Sequence, residues 1–152
     1  MKSAKSAKSK LVKDCDILWR KLLKLERGDR CELCGKHQSE LSFPLSVFHI
    51  LPKGTYPRLR YCRENTLLAC WTTFDTRCCH NIWHSQHKSE WADKRRAEIE
   101  KSICDRFHVD TFEAVENALR LIELSFDKQD VLTLRCLKQY IQDSIQEEER
   151  KK

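Results

Sequence analysis

Long hydrophobic runs are missing from this 152-residue chain. With them goes any stretch able to cross a bilayer as a helix, which takes about 20 apolar residues. The first ten residues hold four lysines and no apolar run, so they do not read as a secretory leader, and a cytoplasmic setting in a bacterial or phage-infected cell is expected. In that setting the nine cysteines do not form a disulfide framework, and their odd number argues the same way. Internal repeats are absent, and so are low-complexity tracts beyond the lysine-rich start. Aromatics are few, 9% against 34% charged residues, so the core is thin and a single domain of ordinary size is expected.

The net charge of +6 is unevenly placed. Residues 1–13 carry five lysines and no acid, and residues 1–9 read as a flexible basic arm able to lie on phosphate, or else as a solvated tail. From Lys10 to Arg27 the apolar positions Cys15, Leu18, Trp19, Leu22 and Leu25 recur at helical steps, and Gly28 is a natural stop. Residues 41–51 cluster Leu41, Phe43, Leu45, Val47, Phe48, Ile50 and Leu51, which predicts a short strand. Pro52, Gly54 and Pro57 mark a loop, residues 67–71 a second strand, and 72–77 a turn. The last third is helical by pattern. Trp91, Ile99 and Ile103 share one face, Asp110 to Glu113 has the form of a capping box ahead of Phe112, Val115, Leu119 and Ile122, and Asp127 can cap a final helix bearing Val131, Leu134, Leu137, Ile141 and Ile145.

Cys31 and Cys34 lie two residues apart with Gly35 behind them, a spacing that turns two thiolates toward one ion. Cys70 supplies a third ligand. The fourth is Cys78 or Cys79, with Cys79 favoured by the His80 that follows it. A structural zinc is the expected occupant. Buried free thiols are the plainer reading, and an iron–sulfur cluster would leave the histidines unexplained. Cys62 and Cys104 have no ligand spacing, and Cys15 and Cys136 read as core residues on helix faces.

His80 and His84 stand four apart, so on a helix both imidazoles project to one side and can hold one metal. Upstream, His49 falls at a strand end and Asn65 follows sixteen residues later. The plainer alternatives are a core histidine at 49 and a turn asparagine at 65. Between His49 and Arg63 lie Lys53, Arg58, Arg60 and Arg63 with no acid, a field that suits a DNA backbone, although such residues also simply solvate loops.

A strand-end histidine, a loop asparagine and a histidine pair opening a helix form the HNH order, and the likeness extends further. The chain has His49-Ile50, then the turn Gly54 to Pro57, Arg58-Leu59-Arg60-Tyr61, Asn65, Cys70, Cys79-His80 to His84, and Glu90-Trp91. With Asp16 to Trp19, Leu22 to Arg27 and the knuckle Cys31 to Gly35, this resembles, over about residues 10–95, the phage and prophage HNH endonucleases allied to the Rap/NinG recombination nucleases. The resemblance implies an α+β fold: a zinc-stapled ββα-metal core, with an N-terminal helix and a helical C-terminal tail over residues 96–152. It implies His49 as general base, Asn65 as the residue that orients it, and His80 and His84 as ligands of a catalytic Mg²⁺ or Mn²⁺. It further implies a structural Zn²⁺ on Cys31, Cys34, Cys70 and Cys79, and phosphate contacts from Lys53, Arg58 and Arg60. Where many HNH enzymes carry a further metal ligand, residue 48 is a phenylalanine.

The resulting expectation is a DNA endonuclease, with branched DNA in phage recombination as the implied substrate and a homodimer suited to symmetric cutting. Two other classes compete. Phe48 and the widely spaced second cysteine pair favour a zinc-stabilised DNA-binding module without catalysis, and the helical tail suits an interaction protein.

Overall fold

The computed structural model describes the backbone of residues 4–73, 77–125 and 131–152, with the side chains of 6–73, 77–125 and 134–152. Among these residues the elements run α1 (Ala4–Arg27), β1 (Ser46–His49), β2 (Thr66–Ala69), α2 (Cys79–His84), α3 (Glu90–Phe107), α4 (Phe112–Leu124) and α5 (Val131–Arg150). Short 3₁₀ turns lie at Gln38–Glu40 and Pro57–Leu59. The chain is therefore helix-rich with a small two-stranded antiparallel sheet. No described helix is long and apolar enough to cross a membrane.

Contacts divide the chain into two compact units, residues 1–28 with 127–152, and residues 29–126. Residue 95, the expected end of the nuclease domain, lies within α3, and by contacts the last helix falls in the same unit as the first.

In the first unit, α1 starts at Ala4, inside the segment expected to be a flexible arm. Alanine and lysine are strong helix formers and nothing before Gly28 breaks the run, so the helix extends back through the lysines. Gly28 ends it at φ +84, its N–H 2.9 Å from the Lys24 carbonyl. The Cβ position there is open, so the backbone angle is what calls for glycine. Cys15, Trp19, Leu22 and Leu23 of α1 are buried, as are Leu134, Ile141 and Ile145 of α5. The Cys15 thiol donates to the Leu134 carbonyl at 3.7 Å, and Lys138 pairs with Asp14 at 2.8 Å. Cys136, expected in the core, is exposed. Two residues beyond Leu134 it sits on the opposite side of the helix from the Leu134–Ile141–Ile145 stripe. The expected Asp127 cap lies outside the described residues.

In the second unit, β1 and β2 pair with Ser46 opposite Ala69 and His49 opposite Thr66. All four residues of β2 are buried. Its far side is satisfied by the cysteine knuckle: Glu32 donates its backbone N–H to the Leu68 carbonyl at 2.8 Å, and its carboxylate accepts from Leu68 N–H at 2.6 Å. The other oxygen of Glu32 takes the Arg106 guanidinium of α3 at 2.7 Å. One side chain thus closes a sheet edge and ties it to a helix.

The helices that follow are capped from within. Ser89 accepts from Ala92 N–H to start α3, and Thr111 accepts from Ala114 N–H to start α4. The cap of α4 is Thr111 and not the expected Asp110, because Phe112 is already the first helical residue. Ala92, Ile99 and Ile103 form the buried stripe of α3, while Trp91, expected on it, is 47% exposed. Position 92 lies about two turns before 99 and three before 103, on the same face; position 91 is rotated about 100° away. Val115 and Leu119 of α4 are fully buried and Leu121 is 70% exposed.

That contrast gives a direct test. Leu119→Ala should lower unfolding free energy by about 2–5 kcal/mol, whereas Leu121→Ala should stay within about 0.5 kcal/mol of the parent in a urea titration at constant metal content.

Candidate metal centre and histidine site

Three separate turns deliver the cysteines. Cys31 and Cys34 lie on the knuckle, where Gly35 turns back at φ +75 and donates to the Cys31 carbonyl at 2.8 Å. Cys70 directly follows β2, and Cys79 is the first residue of α2. The sulfurs of Cys31, Cys34, Cys70 and Cys79 all lie within 4.8 Å of one another. Cys34 and Cys70 are 3.8 Å apart. A tetrahedron with Zn–S bonds of about 2.3 Å has an edge of about 3.8 Å, so the cluster has the size for such an ion. Three of the four are buried and Cys34 is half-buried, which makes this a closed site of the structural kind.

The choice between adjacent cysteines falls to Cys79. Cys78 is the residue before the helix, with extended backbone at φ −67 and ψ 144, and is not among the four. Backbone bonds hold the junction: Cys79 N–H reaches the Cys70 sulfur at 3.2 Å, and His80 N–H the Cys70 carbonyl at 3.1 Å.

The thiols do not titrate independently. Contacts with Cys34, Cys70 and Cys79 push the Cys31 thiol down, while contacts with Cys31, Cys34 and Cys79 push Cys70 up. The first thiolate is stabilised by neighbouring S–H groups and each later one is opposed by its charge, so full ionisation calls for a cation at the centre. Arg95, which sequence reasoning passed over, donates to the Cys79 sulfur at 3.2 Å and is held by Glu98 at 2.6 Å. Its signal is a tertiary contact across sixteen residues, with no local pattern. Cys62 stands apart: burial, with Glu64 beside it, pushes its thiol up to about 11.

Three histidines bear on one another, since the charges of His84 and His49 both act on His80. His49 closes β1 and is 8% exposed. Its Nε2 lies 2.9 Å from the Arg60 carbonyl. A carbonyl only accepts, so the neutral ring carries its proton on Nε2 and its lone pair on Nδ1. Asn65 is fully buried; its Oδ1 accepts from Leu51 N–H at 2.8 Å, and its Nδ2 donates to the Leu51 and Leu59 carbonyls at 3.1 and 3.2 Å. One carboxamide thus ties Leu51, Leu59 and Asn65 of the loop together.

His80 and His84 stand one turn apart on α2, ring centroids 5.1 Å from each other. Burial, followed by the charges of His84, His49 and Lys53, pushes His80 down to about 4, and burial lowers His84 as well. Both are neutral at pH 7, the form that can ligate. Phe48 lies beneath the pair, its ring 5.6 Å from each imidazole and 5.9 Å from Trp83. Trp83 in turn meets Phe112 of α4. Phe48 is fully buried, so the position that lacks a ligand is a packing residue. Lys53 is exposed, Arg58 is half-exposed in the 3₁₀ turn, and Arg60 leans over the Tyr61 ring at 5.9 Å.

No family profile, no curated protein and no solved structure matches the chain.

The cluster predicts about one tightly held zinc per chain, retained through chelator-free dialysis and counted by elemental analysis. Cys79→Ser should release it and Cys78→Ser should not. Full folding without any metal would overturn the assignment.

Proposed function

We propose that this chain is a metal-dependent DNA endonuclease of the HNH (ββα-metal) type, with a structural zinc on Cys31, Cys34, Cys70 and Cys79. One observation carries the proposal: a strand-end histidine anchored through Nε2 to a loop carbonyl acts electrostatically on His80, which stands one turn from His84 on a short helix.

In this reading His49 is the general base. Its Nδ1 lone pair takes a proton from the attacking water, while Nε2–H stays on the Arg60 carbonyl and keeps the ring from turning. Asn65 is a positioning residue, since it fixes the loop that bears that carbonyl. His80 and His84 hold the divalent cation. Two imidazoles are a sparse donor set, which suits Mg²⁺ or Mn²⁺, ions that keep several waters and bind partly through substrate phosphate. Such a cation supplies Lewis-acid stabilisation of the charge that develops on the phosphate oxygens. Lys53, Arg58 and Arg60 bind the DNA backbone, and Arg60 links the two tasks because its own carbonyl holds His49. The resemblance makes branched DNA the first substrate to try.

A second reading is a DNA-binding zinc module without catalysis. It is favoured by the burial of Phe48, which leaves two protein donors where many HNH enzymes carry a further one.

Cleavage of plasmid and four-way-junction DNA in Mg²⁺ or Mn²⁺, with and without chelator, separates the two. His49→Ala should cut about 100- to 10,000-fold more slowly with zinc content and DNA affinity unchanged. Equal cutting by both proteins would remove His49 from the mechanism, and no cutting by either would support the binding module. Affinity itself should fall steeply with salt, and the Arg58→Ala, Arg60→Ala double variant should flatten the log–log slope by about 2.

A further inference from the structure

Ser46 opens β1 opposite Ala69, two residues before Phe48 and on the same face of the strand. Its hydroxyl oxygen is 3.2 Å from the Ala69 carbonyl and 2.6 Å from Nδ1 of His80. A serine hydroxyl has one proton to give. The carbonyl can only accept, so the arrangement that satisfies both contacts sends the Ser46 proton to Ala69 and leaves the Ser46 oxygen to accept N–H from His80. That requires the His80 proton on Nδ1 and the lone pair on Nε2. The reverse arrangement, with Ser46 donating to the ring, abandons the Ala69 contact.

We infer that Ser46 is a positioning residue that sets the tautomer of His80 and presents its Nε2 as the donor to a divalent cation shared with His84. The inference rests on reading His80 and His84 as a cation site. His80 is held elsewhere as well. Its backbone N–H is bonded to the Cys70 carbonyl at 3.1 Å, and Phe48 meets it edge-on at an interplanar angle of 74°. A backbone carbonyl thus governs each of two imidazoles with opposite results. Arg60 takes the proton of His49 on Nε2 directly, and Ala69 acts on His80 through a hydroxyl relay that moves the proton to Nδ1. The fold thereby gives one ring a lone pair on Nδ1 and the other a lone pair on Nε2. Orienting partners of this kind are worth about 10- to 100-fold in metal affinity.

The test compares the parent protein with Ser46→Ala and Ser46→Thr, the second keeping a hydroxyl on a β-branched residue that suits a strand. Zinc content and far-ultraviolet circular dichroism check that each variant folds. Long-range ¹H–¹⁵N spectra of imidazole-labelled protein report the tautomer, with His80 identified by its loss in His80→Gln. Mn²⁺ titration followed by electron paramagnetic resonance reports affinity. The parent and Ser46→Thr should show the Nδ1–H form, and Ser46→Ala should shift toward Nε2–H and bind Mn²⁺ about 10- to 100-fold more weakly. A Ser46→Ala protein with the parental tautomer and affinity overturns the inference. A parent that shows Nδ1–H but takes up no Mn²⁺ overturns the cation-site reading instead, and leaves the tautomer assignment supported.

Discussion

Four thiols held within 4.8 Å of one another are the constraint on which the second unit depends. They come from a knuckle, a strand end and a helix start, three places that share no continuous backbone structure. Neutral thiols attract one another only weakly, and four thiolates would repel. A cation at their centre would convert that repulsion into a cross-link among three segments of a thin-cored chain. The sheet has two strands of four residues each, too little to stand alone in water, so the fastening at its end does work that a larger core would otherwise do.

The neighbouring groups reinforce the same junction. Glu32, inside the knuckle, closes the far edge of β2 and receives Arg106 from α3. Arg95, also from α3, donates to the Cys79 sulfur. The long third helix is thereby tied to the cysteine cluster at two points, which explains why it belongs with the cluster and not with a separate tail.

The histidine site inherits its geometry from this junction. His80 follows Cys79 directly, and its backbone N–H is bonded to the Cys70 carbonyl, so the start of α2 is fixed before any side chain of the site is considered. Asn65 does the equivalent for the loop that leads from His49 back to β2, using every polar atom of its carboxamide on backbone partners. What we propose as catalytic chemistry therefore stands on two rigid supports, one of sulfur and one of amide. Phe48 belongs to the supports: its ring packs against both imidazoles.

Local rules carried the reading of single elements. Helical spacing identified α1 and α4, Gly28 marked a helix end, and the apolar cluster of residues 41–51 marked a strand, which occupies only Ser46–His49 of that stretch. The CxxC-Gly knuckle announced half of the cysteine cluster, and the i, i+4 spacing put the two histidine rings side by side, because both depend only on neighbours within one turn of chain. Local rules decide less where few apolar residues define a face: Trp91 and Cys136, expected inward, point out, and the lysines of residues 4–9, expected in an arm, are helical. Between adjacent cysteines no local rule decides, and the tertiary structure chose Cys79. It also paired helices through Cys15 and Leu134, 119 positions apart, joined Glu32 to Arg106 across 74, and brought the Ser46 hydroxyl to His80 across 34. Sequence by itself determined what each segment could become, since propensity and ligand spacing act over a few residues. Only the tertiary structure decided which segments meet, because contacts between distant residues depend on how whole elements pack and leave no period in the chain.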